Sequence, residues 1–317
     1  MAASMALALF FWSFSLRTCK PRHKRENTDF ILGVAMLTIS SLHVYPVKSL
    51  RGIDLSDAVL TTQGLAFDRQ WMLVDATGKF VTQRQIPLLA SIGVRLTADC
   101  LVLERAGLLP LSIPLAPIPD SRCEVKVWRD TCVGCDEGDV AAHWLTQAVG
   151  QWQGSDLRLV RFAPEGVRPV DPAYMEGDSA DTAFSDGYPF LIVSEASLAA
   201  LNVQLLAHGA AAVPMARFRP NIVLSGMEAF GENACKMLTA ADASYRFAIR
   251  KPCQRCKTTT VDQRTGLIAN PKEPLRTLLA MNPYPHLTGA YFGQNATLTT
   301  GNGVVIKVGD RLDRQPS

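Results

Sequence analysis

From residue 37 onward the chain is a succession of short β-prone runs separated by tight turns, and this constrains the fold more than any other feature. Residues 37–44 carry Ile39, Leu42 and Val44 ahead of Tyr45-Pro46, and their alternation slips by one at Ser40-Ser41, which a β-bulge accommodates. Residues 71–74 and 79–82 flank the turn tetrad Asp75-Ala76-Thr77-Gly78 and predict a hairpin. Residues 94–97 and 101–104 predict another. In residues 124–128, Val125 and Val127 point one way, Glu124 and Lys126 the other. Many short strands with close turns favour barrel-like β architecture over a doubly wound parallel sheet.

Three helical patterns interrupt the strands, so the class is mostly β with a few helices (α+β). Residues 139–149 place Val140, Trp144, Leu145 and Val149 near helical spacing before Gly150. Ser194 is an N-cap for residues 195–208, with Leu198, Leu201 and Leu205 on one face and Gly209 after them. Pro274 suits the first turn of a helix over 273–281, which groups Leu275, Leu278 and Leu279 and stops at Asn282-Pro283. A linker is expected at 150–155 or 163–172. The division taken is a leader at 1–35, an N-terminal barrel at 36–155 and a second barrel at 156–317.

The leader holds an apolar run, residues 5–16, followed by five cations. That order is the reverse of a secretory signal, and twelve residues fall short of a spanning helix. It is read as outside the fold, with weak membrane-surface contact as the other reading. The leader contributes the whole net charge of +3, because the remaining residues carry 27 positive and 27 negative side chains. A balanced body creates no general field for nucleic acid. An anionic ligand must be held by a few placed cations. Eight Cys in 317 residues are too few for a disulfide framework.

The chemistry concentrates in R-K-P-C-Q-R-C-K-T-T-T-V-D-Q-R-T-G at 250–266. The β-branched run 258–261 predicts a strand, which puts Cys253 and Cys256 on a loop entering it. Arg250, Lys251, Arg255 and Lys257 crowd the two thiols, and cations favour the thiolate that binds soft metals or attacks electrophiles. A structural Cys beside an unrelated charge cluster is the plainer alternative. Cys132 and Cys135 form a second C-x-x-C pair, but the wide separation argues against a shared zinc and leaves the pair incidental. Lys48-Ser49 offers an ammonium and a hydroxyl where Pro46 ends the first strand. Arg69 precedes a strand, and Arg219-Pro220-Asn221 sets a guanidinium and an amide before the apolar run 222–224. Taken singly, each Arg reads as a surface ion pair. The phosphate-loop, dinucleotide-binding, zinc-protease and nucleophile-elbow motifs are missing.

Seven segments occur together in the order in which MOSC-domain proteins carry them. They are Y-P-V-K-S (45–49), F-D-R (67–69), S-D-G-Y-P-F-L-I-V-S-E-A-S-L (185–198), F-R-P-N-I-V (218–223), C-Q-R-C-K-T-T-T-V-D (253–262), F-G-Q-N (292–295) and I-K-V-G-D (306–310). Over residues 37–312 the chain resembles that family, in particular its amidoxime-reducing branch and bacterial relatives. The resemblance implies a MOSC N-terminal β-barrel domain followed by a MOSC β-barrel domain, with a molybdenum cofactor (molybdenum chelated by a molybdopterin that ends in a phosphate) between them. It implies Cys256 as the metal ligand. Lys48, Ser49, Arg69, Arg219 and Asn221 become cofactor contacts, Ser185 and Asp186 line the site, and Gln254, Gln294 and Asn295 come near it. Asn295 stands where some relatives have an aromatic residue, and Gln254 where they have a small polar one.

The activity so implied is reduction of N-hydroxylated or N-oxygenated small molecules, N–OH to N–H, by oxygen abstraction at molybdenum. Asp262, near Cys256, is the one candidate for moving a proton. No Fe–S cluster or flavin is expected in this chain, so electrons must come from a separate donor protein. The alternative is a sulfur carrier or cofactor-sulfuration protein that uses Cys253 or Cys256 as a persulfide, and a plainer one is a non-catalytic cofactor-binding module. A free thiolate persists best in the cytoplasm, which is the expected location.

Overall fold

A computed structural model describes residues 36–116 and 121–316, and the leader lies outside them. Except at 258–261, the predicted strands form, and the two main sheets each carry a core. The first rests on an eight-stranded sheet. Its order across the width is Leu312–Pro316, Cys235–Ala240, Arg246–Gln254, Tyr291–Thr300, Phe190–Ser194, Ile222–Ser225, Thr38–Val44 and Ile53–Leu55. The strand nearest the start of the fold, one in from the sheet's edge, therefore pairs with Ile222–Ser225 in a sheet made mostly of later residues. Its register shifts between Ile39 and Ser41, the bulge expected from the slipped alternation. That shift keeps Ile39, Leu42 and Val44 all buried, against Phe190, Ile192, Ile222 and Phe247.

The second core rests on a five-stranded sheet, ordered Arg122–Val127, Asp130–Asp136, Arg158–Phe162, Trp71–Val74 and Phe80–Val81. A three-stranded sheet of Gly93–Leu96, Cys100–Glu104 and Leu111–Pro114 accompanies it. Both predicted hairpins are present. Val125 and Val127 are buried while Glu124 and Lys126 are exposed, as their alternation requires.

The helices are α1 (Asp139–Val149), α2 (Glu195–Ala207) and α3 (Leu275–Met281). The α1 span is as predicted, but its buried face is not. Val140 is 73% exposed, and Ala141, Ala142 and Ala148 join Trp144 and Leu145 inside. Counting only large residues placed the stripe wrongly, because small alanines let this helix sit close on the sheet. In α2 the Ser194 hydroxyl accepts from the Ser197 N–H at 3.1 Å, and Leu201 and Leu205 are buried. This helix is the crossover between Phe190–Ser194 and Ile222–Ser225, the parallel pair of its sheet. In α3, Pro274 is the cap, so the helix starts two residues later than predicted, and Leu279 is exposed. No helix among the described residues is long and apolar enough to cross a membrane.

Candidate functional site

Several of the residues singled out in the sequence lie on loops that meet around one aromatic ring. The Arg69 and Arg219 guanidiniums lie 4.3 and 4.2 Å from the centre of the buried Tyr45 ring. Such stacking holds two like charges close by giving each a π face. Arg69 also donates to Asp68 at 2.5 Å, to the Asn221 amide oxygen at 3.1 Å and to the Arg219 carbonyl at 3.0 Å. Arg219 donates to the Leu50 carbonyl at 2.6 Å and to Gln263 at 3.0 Å. Asn221 spans the loops: its amide donates to the His43 carbonyl, and its oxygen accepts from the Leu191 N–H. Burial, and then the neighbouring Arg69, lowers Arg219 to about 10. Burial raises the Tyr45 phenol to about 12.

Ser49, Arg69 and Arg219 all have left-handed backbones, with φ of 73°, 48° and 54°. Each such residue costs on the order of 1–2 kcal/mol when it is not glycine. The bonds just described over-determine the two arginines. Ser49 is fixed through its carbonyl, which accepts from Gln83 at 2.7 Å, and its hydroxyl has no protein partner among the described residues. One Arg219 nitrogen, Nη2, is buried with no hydrogen-bond partner. A buried cationic donor left open is costly unless a ligand accepts from it.

Lys48 is buried near Arg69, with its ammonium 5.5 Å from the Phe80 ring. Its ammonium donates to the Phe184 carbonyl at 2.8 Å and to Asp186 at 2.6 Å. Burial pulls the ammonium below its ordinary range, against the pull of Asp186. The Asp186 side chain is 71% exposed, so desolvation acts weakly on its carboxylate, and the Lys48 ammonium holds the carboxyl below the usual range. The Asp186 loop is held from behind by Arg168, which sequence reasoning missed. Buried Arg168 donates to the carbonyls of Ala183 at 2.9 Å and Ser185 at 2.7 Å, and to Asp130 at 2.8 Å. The Ser185 hydroxyl bonds Thr182 at 2.6 Å.

The cysteine segment differs from its sequence reading. Cys253 lies inside the Arg246–Gln254 strand, one residue before its end, and residues 258–261, expected as a strand, instead lie in a 3₁₀ turn, Lys257–Thr260, and its exit. The Thr259 and Thr260 hydroxyls donate back to the carbonyls of Cys256 and Lys257, and such local bonds compete with a sheet ladder. Cys256, at the cap of this turn, is exposed, with Thr258 Oγ1 3.3 Å from its sulfur. Of the four cations, only Arg255 touches a thiol, and that thiol is Cys253, at 2.7 Å. Arg250 bonds Asp178, Lys251 lies over Tyr174, and Lys257 points to solvent.

Three bridges tie this segment to the Tyr45 cluster. Arg255 donates to the Phe218 carbonyl at 2.7 Å, Arg217 donates to the Thr260 carbonyl at 2.5 Å, and Gln263 joins Arg219 to Gln83. Asp262 closes the turn after Val261. Its carboxylate accepts from the N–H groups of Arg264 and Thr265 and faces Arg217 at 3.6 Å. Those donors outweigh desolvation and lower its carboxyl. Gln254 and Asn295 sit on adjacent strands of the first sheet, exposed and half-buried, and no direct contact joins them to the Tyr45 cluster among the described residues. Gln294 turns inward, onto Asn233 and Tyr284. Cys132 and Cys135 are buried in the second sheet, and no group of three or more His, Cys, Asp or Glu poised for a metal occurs among the described residues.

A cluster of placed cations around one buried tyrosine, bonded to a segment that carries an exposed thiol, is the arrangement expected of one class. Residues 36–152 match the MOSC N-terminal beta barrel domain and residues 179–313 the MOSC domain, and the chain belongs to the MOSC-domain family. It is 36% identical over 287 residues to the human protein named mitochondrial amidoxime-reducing component 1, covering 86% of this chain and 81% of that one. It is 30% identical over 285 residues to human mitochondrial amidoxime reducing component 2, covering 87% and 78%. A molybdenum cofactor sulfurase of Drosophila grimshawi is 33% identical over 232 residues, covering 71% of this chain but 28% of that protein.

Proposed function

We propose that this protein is a molybdenum-cofactor-dependent reductase of N-hydroxylated compounds. The carrying observation is that the segment bearing the exposed Cys256 thiol is bonded to a cluster whose buried Arg219 Nη2 has no partner. The residues present fit the cofactor. Lys48, Arg69 and Arg219 offset the negative charge of a phosphate-bearing pterin, and the Arg219 N–H and the Ser49 hydroxyl are open to it. Cys256 supplies the soft thiolate suited to molybdenum. When bound, the cofactor supplies the two-electron removal of oxygen from N–OH.

The chain's own residues bind and orient. Tyr45 underlies both guanidiniums, Asn221 holds that of Arg69 and Gln263 that of Arg219, and Arg168 fixes the loop that sets Asp186 against Lys48. Arg217, which faces Asp262, holds the Thr260 carbonyl at the end of the turn that starts at Cys256, and Asp262 closes the next turn. The net reaction, N–OH + 2 e⁻ + 2 H⁺ → N–H + H₂O, requires an electron-donor protein. Its test is molybdenum per chain in freshly purified protein, together with reduction of benzamidoxime by an artificial donor. About one molybdenum per chain and turnover are expected.

Metal-free protein with labile sulfur would defeat this reading and favour the second one, a sulfur carrier. What favours the carrier is the Arg255 guanidinium, which donates to the Cys253 sulfur at 2.7 Å and so sets a cation beside a second, half-buried thiol. The free thiols suit a reducing compartment, and fractionation decides between the cytoplasm and the mitochondria of the relatives' names.

Ser49 offers a separate check. Glycine relieves its left-handed backbone, so Ser49→Gly should stabilise the protein by about 1 kcal/mol. It also deletes the free hydroxyl, so molybdenum retained through gel filtration should fall. Thermal denaturation and metal analysis on one preparation test both halves. A variant neither more stable nor poorer in metal would remove Ser49 from the site.

A further inference from the structure

The hairpin joining Arg122–Val127 to Asp130–Asp136 turns on two residues, Trp128 and Arg129. A left-handed first residue in such a turn is ordinarily glycine. Here it is Trp128, with φ of 57° and 49% exposure. A bulky side chain in that conformation is an outlier, and outliers of this kind cluster at ligand sites. Trp128 is also built into a surface. Its ring centre lies 5.0 Å from that of Phe80, and the Arg84 guanidinium lies 4.2 Å from the Trp128 ring and 5.5 Å from Phe80. Arg84 Nε donates to Thr82 Oγ1 at 3.2 Å, which fixes the guanidinium plane. Its two terminal nitrogens have no hydrogen-bond partner among the described residues, and the Asp186 carboxylate lies close enough to act on its charge.

This shelf adjoins the site. The Lys48 ammonium lies 5.5 Å from the Phe80 ring, Gln83 next to Arg84 bonds the Ser49 carbonyl, and Asp130 of the same hairpin bonds Arg168. A stacked, pre-set guanidinium with an open edge binds planar oxyanions. We propose that Trp128 and Arg84 form a substrate subsite for an aromatic ring carrying a carboxylate, the ring stacking on the shelf and the carboxylate taking the open edge of Arg84. This assignment rests on the reductase reading and names its substrate class.

Direct binding tests it without turnover. 4-Carboxybenzamidine and benzamidine, which differ by the carboxylate alone and cannot be reduced as amidoximes are, are titrated into the molybdenum-loaded full chain by calorimetry. The carboxylated compound should bind about tenfold tighter, the effect of one charge-assisted hydrogen bond pair. Arg84→Ala should abolish the difference and Arg84→Glu reverse it. Trp128→Gly, which relieves the turn and therefore folds, should weaken both compounds. Equal binding of the two by the unaltered protein overturns the proposal, as does a difference that survives Arg84→Ala. Loss of molybdenum from Arg84→Ala would assign the guanidinium to the cofactor and overturn it as well. The kcat/KM ratio for 4-carboxybenzamidoxime over benzamidoxime should follow the binding ratio. A protein that discriminates in binding yet reduces neither keeps the subsite and loses the reductase reading.

Discussion

Replacing Cys256 with alanine is expected to leave the fold intact while removing molybdenum and lowering N-reductase activity by more than about a hundredfold. Outer-shell changes at metal sites already cost about 10–100-fold, and loss of a ligand costs more. The fold should tolerate the change because the sulfur is exposed and its neighbour is the Thr258 hydroxyl at 3.3 Å. The bonds that shape the turn run to the Cys256 carbonyl, from the Thr259 N–H and hydroxyl, and alanine keeps that carbonyl. Stability should therefore stay within about 0.5 kcal/mol. Cys253→Ala is the control. It takes the sulfur from Arg255 Nη1 but leaves Nη2 on the Phe218 carbonyl, so the segment stays tied and the metal should remain. Metal analysis, activity and denaturation on both variants separate the roles. If Cys253→Ala lost the metal and Cys256→Ala kept it, the ligand assignment would be wrong. If Cys256→Ala kept both metal and rate, no thiolate ligand would remain in the proposal.

The strands were legible because a half-buried strand writes its burial into alternate residues. Even the bulge at Ser40-Ser41 showed, since the slip that creates it also displaces the alternation. The Ser194 cap was legible because the residue that starts α2 is the one that bonds its first turn. Residues 258–261 misled because threonine suits a strand by its branching and a tight turn by its hydroxyl, and here the hydroxyl bonds won. The site was legible only as separate cations. Nothing local relates Gln83 to Gln263, which are 180 positions apart and bonded at 2.8 Å. The Tyr45 ring is visible as one letter of a motif, but that two guanidiniums share it is a fact of tertiary packing. Arg168 stands in a proline-rich stretch read as a linker, where an arginine looks like surface. It is 3% exposed.

Arg168→Ala should consequently do more damage than its place in the sequence suggests. Its guanidinium is the donor for two buried carbonyls, Ala183 and Ser185, with a longer bond to Asp186 at 3.4 Å. Each carbonyl left without a donor costs roughly 1–3 kcal/mol. Asp130, the ionic partner, is 36% exposed on its side chain, so water recovers part of that charge and the full penalty of a broken buried pair does not apply. The sum is a loss of about 3 kcal/mol, or a Tm lower by about 5–10 °C for a chain of this size. The loss of function should exceed what instability explains. Without Arg168 the 183–186 loop loses the group that holds it. Lys48 then loses the fixed positions of both its acceptors, the Phe184 carbonyl and Asp186. Molybdenum per chain should fall even at 10 °C, far below the lowered Tm. Arg168→Lys should recover part of the stability but little of the metal, since an ammonium reaches fewer acceptors than a planar fork. Unchanged melting and unchanged metal content in Arg168→Ala would mean that the Asp186 loop holds its shape unaided, and the cradle would then need another explanation for its order.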